Sequence, residues 1–151
     1  MPVVPFVEMA GIAMLGKKEL EKISNVFKKE SAILAAYLFG SYISGNPNRY
    51  SDIDIAVLFD NAVNPKEYTD KQIDMVVDLS RLLGREADVI ILNRAGSFLK
   101  YNVLKNGLRV YERPDRNGRS FEARAMVEYF DFLPIKNRIE EGILSKIKKA
   151  V

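Results

Sequence analysis

Apolar residues recur along the chain with helical spacing in some segments and as short continuous runs in others. Residues 17–29 have the helical spacing, with lysines and glutamates on the remaining positions. The runs at 35–39 and 53–59 are short, apolar and bounded by glycine or polar residues, which is typical of buried strands. The first helix is expected to bury Leu20, Ile23, Val26 and Phe27.

A second helix is predicted to begin at Asn64, because Pro65 follows at the first helical position and Glu67 lies three residues after the cap. Gly84 ends it. A third strand, apolar on both faces except for an aspartate near its start, follows at 87–92. The buried face of this helix is expected to contain Ile73, Val76, Val77 and Leu83.

The last third of the chain predicts one more strand between two helices. Asn93 is expected to cap a helix that Asn106-Gly107 ends, and 108–112 is expected to be a short edge strand. A long helical pattern begins at Ser120, and Pro134 is expected to kink or split it because proline lacks an N–H. The apolar positions of these helices are Phe98, Leu99, Val103 and Leu104, then Phe121, Ala125, Tyr129, Phe132, Ile135, Ile139, Ile143 and Ile147.

This order of elements predicts an α+β fold, close to α/β: a small mixed β-sheet with helices packed on it and a C-terminal helical extension. The 151 residues suffice for one domain and not for two. Residues 1–16 are interpreted as a loosely held tail or an oligomer contact, 17–114 as the core, and 115–151 as a C-terminal helical segment of the same domain.

The composition limits which catalytic and metal-binding groups the chain can use. The chain has no cysteine and no histidine, which excludes disulfides, a thiol nucleophile, a Ser-His-Asp triad and metal sites built on thiolate or imidazole. Acid–base and metal chemistry is therefore left to carboxylates. The net charge of +3 fits an anionic nucleotide or an acidic partner and does not indicate direct nucleic-acid binding. No apolar run is long enough for a membrane span, and the start of the chain does not resemble a signal peptide, so we expect a cytoplasmic protein.

Candidate chemistry is concentrated between the first two strands. Asp52 and Asp54 are two positions apart and should project from the same face of the second strand. Two neighbouring carboxylates repel each other unless a cation lies between them, and oxygen ligands favour Mg²⁺. The preceding Gly40-Ser41 turn offers backbone N–H groups and a hydroxyl to a phosphate.

The combined pattern resembles the signature of the nucleotidyltransferase superfamily that includes DNA polymerase beta. Gly40-Ser41 is followed by ten residues and then by Asp52-Ile53-Asp54, with an apolar run on either side. A lone Asp-x-Asp would be read as two solvated aspartates. The resemblance implies the nucleotidyltransferase fold and a third carboxylate on a neighbouring strand. Asp88 is placed to supply it, with Glu86 as the fallback, although a charge that opens a buried strand is in isolation most often a solvated strand end.

Further segments resemble one branch of this superfamily. The segment from Leu83 to Ala95 and that from Val103 to Arg113 look like those of minimal nucleotidyltransferases, and the segment around Phe121–Phe132 is similar to the C-terminal helix of MntA-like antitoxins, the partners of HEPN-domain toxins. The resemblance implies a protein adenylyltransferase that moves AMP from ATP onto a tyrosine hydroxyl of a cognate HEPN toxin, with which it could form an oligomer.

The same resemblance implies a role for each site residue. Gly40 and Ser41 would hold the triphosphate, while Asp52, Asp54 and Asp88 would be catalytic and would ligate two Mg²⁺ ions. Asp88 would also help to deprotonate the attacking hydroxyl. Many relatives have an arginine before the second glycine of the loop; here Ser44 takes that position, and Arg49 could supply the charge.

Two other functions remain open. The chain could be a small-molecule nucleotidyltransferase of the aminoglycoside-modifying type, although such enzymes generally need a further domain to hold the acceptor. It could also be a non-catalytic antitoxin that acts by binding alone, using the aromatic residues Tyr129, Phe130 and Phe132. The mutual repulsion of the carboxylates favours catalysis, because a binding protein has no need of it.

Overall fold

The computed structural model describes residues 9–40 and 52–150, the first six of them by backbone only, and residues 1–8, 41–51 and 151 lie outside that description. Within it, the helices are α1 (Met9–Lys28), α2 (Tyr68–Leu83), α3 (Ser97–Asn106) and α4 (Gly118–Ala150). The strands are β1 (Ile33–Phe39), β2 (Ile53–Phe59), β3 (Ala87–Ile91) and β4 (Leu108–Glu112). Short 3₁₀ turns cover Pro65–Glu67 and Leu92–Arg94.

The four described strands form one mixed sheet in the order β3-β2-β1-β4. Strand β1 is antiparallel to both β2 and β4, while β2 is parallel to β3. The parallel pair requires a crossover, which α2 provides. The α+β fold class and the edge position of 108–112 are confirmed.

Alternate residues of the strands feed two hydrophobic layers. In β2 the odd-numbered residues from Ile53 to Phe59 pack with α1 and α2, and we call that side the α1/α2 face. Ala56 and Leu58 pack on the other side with α3 and with Phe121 of α4, and we call it the α3/α4 face. Asp54 shares the parity of Ala56, so its side chain belongs to the α3/α4 face.

Helix α1 confirms the predicted stripe and extends it. Ile23 and Phe27 are fully buried, and Leu20 and Val26 pack against them. The helix begins at Met9, with a bend at Gly16, and Leu15 is fully buried in the core. Residues 9–15 are thus helical up to the bend, and Leu15 is buried in the core, where the sequence pattern indicated a loosely held tail or an oligomer contact.

Helix α2 ends where predicted but begins at Tyr68, after a 3₁₀ turn that Asn64 caps, and its buried face differs in part from the predicted one. Asn64 accepts a hydrogen bond from the backbone N–H of Lys66 at the start of the 3₁₀ turn, and Gly84 ends the helix in the left-handed region with φ of 64°. The predicted buried face is confirmed in part: Val76 and Leu83 pack against the core, whereas Ile73 and Val77 are 55% and 46% exposed. The buried residues of the helix are Tyr68, Met75 and Leu79.

The cause lies in contacts made by the start of α2. The ring of Tyr68 stacks on that of Phe59 with centroids 5.0 Å apart. Gln72 donates a side-chain hydrogen bond to the backbone carbonyl of Val89, at 2.5 Å. These contacts rotate the helix so that Tyr68, Met75 and Leu79 face the sheet.

Asn93 does not cap a helix. It lies in the 3₁₀ turn, and its side chain pairs with the backbone of Phe59, accepting from the N–H at 2.8 Å and donating to the carbonyl at 2.9 Å. Helix α3 begins four residues later at Ser97 and ends at Asn106 as predicted. Asn93 therefore joins the ends of β2 and β3, because a side-chain amide can satisfy both backbone groups of one residue.

Helix α4 is continuous through Pro134, so the predicted split does not occur. Its first turns are held by the sheet, with Gly118, Ala125 and Tyr129 buried. From Ile135 to Ala150, every residue except Lys136 is exposed. No helix in the described parts of the chain is long and apolar enough to cross a membrane.

Candidate active site

Asp54 and Asp88 are direct neighbours across the parallel pair β2–β3. They are register partners, and partners in a parallel pair direct their side chains to the same side of the sheet. The backbone N–H of Ile53 donates to the carbonyl of Glu86 at 3.0 Å, which fixes this register at the start of both strands. The structure therefore brings together two carboxylates that are 34 positions apart in the sequence.

Asp52 lies immediately before β2 and is exposed, like Asp88, whereas Asp54 is partly buried. Asp52 is close enough to act on the titration of Asp54. Glu86, the fallback for the third carboxylate, lies just before β3 and is not among the charges that shift the pKa of Asp54. Asp88 is thus the better placed of the two.

Gly40 lies directly against the Asp54 carboxylate. Its φ of 79° is in the left-handed region, and a Cβ at this position would overlap Oδ2 of Asp54. A glycine is required here for two reasons, the backbone conformation and the space that the carboxylate occupies. Ser41, the other half of the predicted phosphate turn, lies outside the described residues, as do Ser44 and Arg49.

The electrostatic environment raises the pKa of Asp54. The largest cause is burial, followed by repulsion from Asp88 and then from Asp52. Each of these disfavours the ionised carboxylate. A cation at this end of the sheet would relieve the repulsion, because an opposite charge within a few ångströms favours ionisation.

The donor set fits a hard divalent cation. All three side chains are carboxylates, and Mg²⁺ binds through one or two carboxylates and completes its shell with water and substrate phosphates. Among the described residues, no three acidic, histidine or cysteine side chains are drawn together closely enough to form a complete metal-binding group. The register pair Asp54 and Asp88 could supply two carboxylates to such an ion.

A second polar cluster lies on the same sheet face, nearer the edge. The Tyr37 hydroxyl donates to the Glu122 carboxylate, and Arg109 Nη2 donates to the same oxygen at 2.5 Å. The Arg109 guanidinium also lies 5.8 Å from the centroid of the Tyr37 ring. Burial, with a further contribution from Glu122, raises the pKa of Tyr37 far above its ordinary value, so the hydroxyl stays protonated.

Sequence reasoning did not find this cluster. It ties β1, β4 and the first turns of α4 together, and it lies two residues along β1 from Phe39, the register partner of Asp54. The only sequence signal was a tyrosine hydroxyl within an otherwise apolar strand. The partners of Tyr37 are 72 and 85 residues away, so no local pattern could identify them.

Comparison with known proteins agrees with the geometry. The model of a protein family described as "Polymerase beta, Nucleotidyltransferase" matches residues 21–116. That range begins in α1, contains the whole sheet and includes Gly40, Asp52, Asp54 and Asp88. A search of curated proteins gave no match.

Several solved structures share the fold. One is a chain of a toxin–antitoxin complex with AMP-PNP, at 23% identity and a TM-score of 0.68, covering 83% of this chain and 98% of the other. A chain of the toxin–antitoxin MntA-HepT has 19% identity and a TM-score of 0.65, covering 85% and 99%. A chain of the complex of tri-AMPylated HEPN toxin with MNT antitoxin from Shewanella oneidensis has 20% identity and a TM-score of 0.60, covering 83% and 98%.

Proposed function

The chain belongs to the polymerase beta nucleotidyltransferase family, and on that premise we propose that it is an antitoxin that transfers AMP from ATP to a tyrosine hydroxyl of a HEPN-domain toxin. The observation that carries the proposal is the register pairing of Asp54 with Asp88 beside Gly40. Structures of similar fold come from toxin–antitoxin complexes, one with AMP-PNP and one with an AMPylated HEPN toxin. They support the choice of nucleotide and acceptor.

Each site residue has a distinct role in this proposal. Gly40 and Ser41 hold the triphosphate at the end of β1, and Asp52, Asp54 and Asp88 would hold two Mg²⁺ ions. When bound, the magnesium neutralises negative charge on the triphosphate and the departing pyrophosphate. Ser44 replaces the arginine that many relatives have before the second glycine, and Arg49 supplies that charge instead.

The groups available account for each bond and proton in the transfer step. The tyrosine oxygen of the acceptor forms a bond to the α-phosphorus, and the bond from that phosphorus to the pyrophosphate oxygen breaks. Asp88 accepts the proton of the attacking hydroxyl, which is the role left to a carboxylate in a chain without histidine. The remaining contribution of the protein is to position the reactants and stabilise charge, as in other phosphoryl-type transfers.

The decisive experiment combines the purified protein, ATP, Mg²⁺ and a HEPN-domain protein as the acceptor. Mass spectrometry should show the acceptor gaining mass in AMP-sized steps. Asp52→Asn and Asp54→Asn should each lower the rate by more than about 100-fold, because each removes a proposed metal ligand. Chelation of Mg²⁺ should have the same effect.

The matched control is Asp78→Asn, which removes an exposed carboxylate on α2, on the opposite side of the sheet, and should leave the rate unchanged. Circular dichroism should show all three variants folded. A complex with the HEPN protein that forms without any mass increase would instead establish an antitoxin that acts by binding alone. Full activity in either site variant would contradict the site assignment.

A further inference from the structure

The face of α4 that packs on the domain continues beyond it into solvent. Ala125 and Tyr129 are buried on this face. Beyond Phe132 the same face carries an isoleucine at every fourth position, which keeps the side chains on one side of a helix. We call these four residues the outer stripe, and they are 52–55% exposed: Ile135, Ile139, Ile143 and Ile147.

The outer stripe has little cover from the described part of the chain. Lys136 is the last partly buried residue of α4; its Nζ lies 4.9 Å from the centroid of the Phe98 ring and pairs with Glu140 at 3.6 Å. An amphipathic helix gains most of its stability by burying its apolar face, so an uncovered one is marginal. Phe130 and Leu144 add further exposed apolar area, each 56% exposed.

A second copy of the chain fits this surface poorly. Lys136 lies seven residues before Ile143, and Lys146 lies seven after Ile139, so both lysines fall about two turns away and on the stripe side. If the outer stripes of two copies pack against each other in antiparallel orientation, Lys136 of one copy lies opposite Lys146 of the other. A parallel arrangement sets every lysine opposite its own copy. Like charges face each other in both arrangements, which is unfavourable.

Residues 135–151 carry five basic and two acidic side chains, and one of the acidic ones, Glu140, is paired with Lys136, so the remaining positive charge suits a partner with acidic groups. Lys146 lies beside the stripe, and Lys148 and Lys149 follow at the end of the helix. Helix α4 also packs on the α3/α4 face, the side to which Asp54 belongs. A protein that covers the outer stripe therefore approaches the side of the sheet that carries the candidate site.

We infer that the outer stripe is the docking surface for the protein acceptor of the transfer, received by an apolar groove bordered by carboxylates. The inference rests on the proposed function for the identity of the acceptor. Recognition is of the helix-in-groove type, with anchors at every fourth position. Docking also stabilises the outer half of α4, because it covers an apolar face that is otherwise exposed to solvent.

The test measures binding of the cognate HEPN-domain protein by calorimetry. Ile139→Glu and Ile143→Glu should each weaken binding by about tenfold or more, because buried interface anchors carry most of the affinity. The matched controls Asn137→Glu and Ser145→Glu add the same charge away from the stripe and should stay within about threefold of the wild type. All four positions are exposed, so folding should be unaffected. Lys146→Glu should weaken binding in low salt more than in high salt.

Several outcomes would overturn the inference. Stripe variants that bind like the wild type, or a wild-type protein that does not bind the HEPN protein, would do so. A concentration-dependent dimer in sedimentation that Ile139→Glu abolishes would assign the stripe to a second copy. Stripe-dependent binding to vesicles of anionic lipid, without binding to the protein partner, would assign it to a membrane surface.

The docking surface and the proposed function can fail separately. Stripe variants should still bind Mg²⁺-ATP, measured with a fluorescent analogue, while losing transfer to the acceptor. Asp54→Asn should bind the acceptor normally and transfer nothing. Stripe-dependent binding without any transfer by the wild type would contradict the proposed function and leave the docking surface intact.

Discussion

The Asp54 carboxylate is the side chain on which the candidate site depends most directly. Burial, Asp88 and Asp52 all raise its pKa, so its ionised form destabilises the protein when no cation is present. The same repulsion that destabilises the ionised carboxylate favours the binding of a divalent cation, because the cation removes it. Stability and activity should therefore respond in opposite directions when this charge is removed.

We predict that Asp54→Asn raises the free energy of unfolding of the metal-free protein at neutral pH by up to about 1 kcal/mol, a modest gain because solvent screens partly exposed carboxylates. The folded-state pKa of Asp54 lies above the unfolded value, so the folded state binds more protons between the two. Stability falls as pH rises through that window and stays lower above it. Below both values the variant and the wild type should be equally stable. Urea denaturation with a chelator at pH 3 and pH 7 measures the difference, and a less stable variant at pH 7 would contradict it.

Gly40 is the residue whose substitution should disturb Asp54 through sterics alone. We predict that Gly40→Ala lowers stability by about 1–3 kcal/mol, because alanine is strained at a φ of 79°. Its Cβ also displaces the Asp54 carboxylate, so AMP transfer should fall by about tenfold or more. Gly142→Ala is the control, since nothing lies within 4 Å of a Cβ there and a helix favours alanine. Thermal unfolding and the transfer assay report the two effects, and a fully active Gly40→Ala would be inconsistent with the contact.

At the level of elements, α2 shows how tertiary contacts choose between two apolar stripes of one helix. The sequence offers Ile73 and Val77 on one side and Met75 and Leu79 on another. The stacked Tyr68 ring at the start of the helix selects the second side. Both stripes have helical spacing, so periodicity alone could not decide between them.

A pair of truncations in α2 separates the two stripes. Leu79→Ala should cost about 3 kcal/mol, because it leaves a cavity at a fully buried position. Ile73→Ala should change stability by no more than about 0.5 kcal/mol, since this side chain is 55% exposed. Urea denaturation of both variants gives the comparison. Equal losses would mean that the helix is rotated towards the stripe that the sequence pattern favoured.

At the level of the whole molecule, the domain and the outer half of α4 are energetically separate. Helix α4 contacts the sheet through Gly118, Arg119, Phe121 and Glu122, all in its first two turns. The Tyr129 ring stacks on that of Tyr101 with centroids 3.8 Å apart, which holds α4 against α3. The candidate site is built from the sheet and does not need the outer helix.

We therefore predict that deletion of residues 138–151 leaves the core folded. Stability to urea should stay within about 1 kcal/mol of the wild type, because the removed residues that the structure describes are exposed. Binding of Mg²⁺-ATP should also persist. Size-exclusion chromatography and urea denaturation provide the measurement, and a loss of cooperative unfolding would show that the outer helix stabilises the domain.

The sequence by itself determined the strands, the C-terminal ends of two helices and the nature of the candidate chemistry. Apolar runs placed β2 at 53–59, Gly84 and Asn106-Gly107 ended two helices, and the absence of histidine left carboxylates as the candidate groups. These features depend on residues close together in the chain, where spacing and turn chemistry are decisive. The signature at Gly40 and Asp52–Asp54 was visible for the same reason, whereas Ser41 and its part in phosphate binding stay a prediction.

Only the tertiary structure decided how distant segments combine. The register of β2 against β3 places Asp88 opposite Asp54. Contacts between distant segments determine the buried face of α2, the pairing of Asn93 with the backbone of Phe59 and the cluster around Tyr37. Each of these depends on residues between 9 and 85 positions apart. A local pattern indicates which face of an element is apolar. Whether another element covers that face, or leaves it exposed as on the outer stripe, depends on the packing of the whole chain.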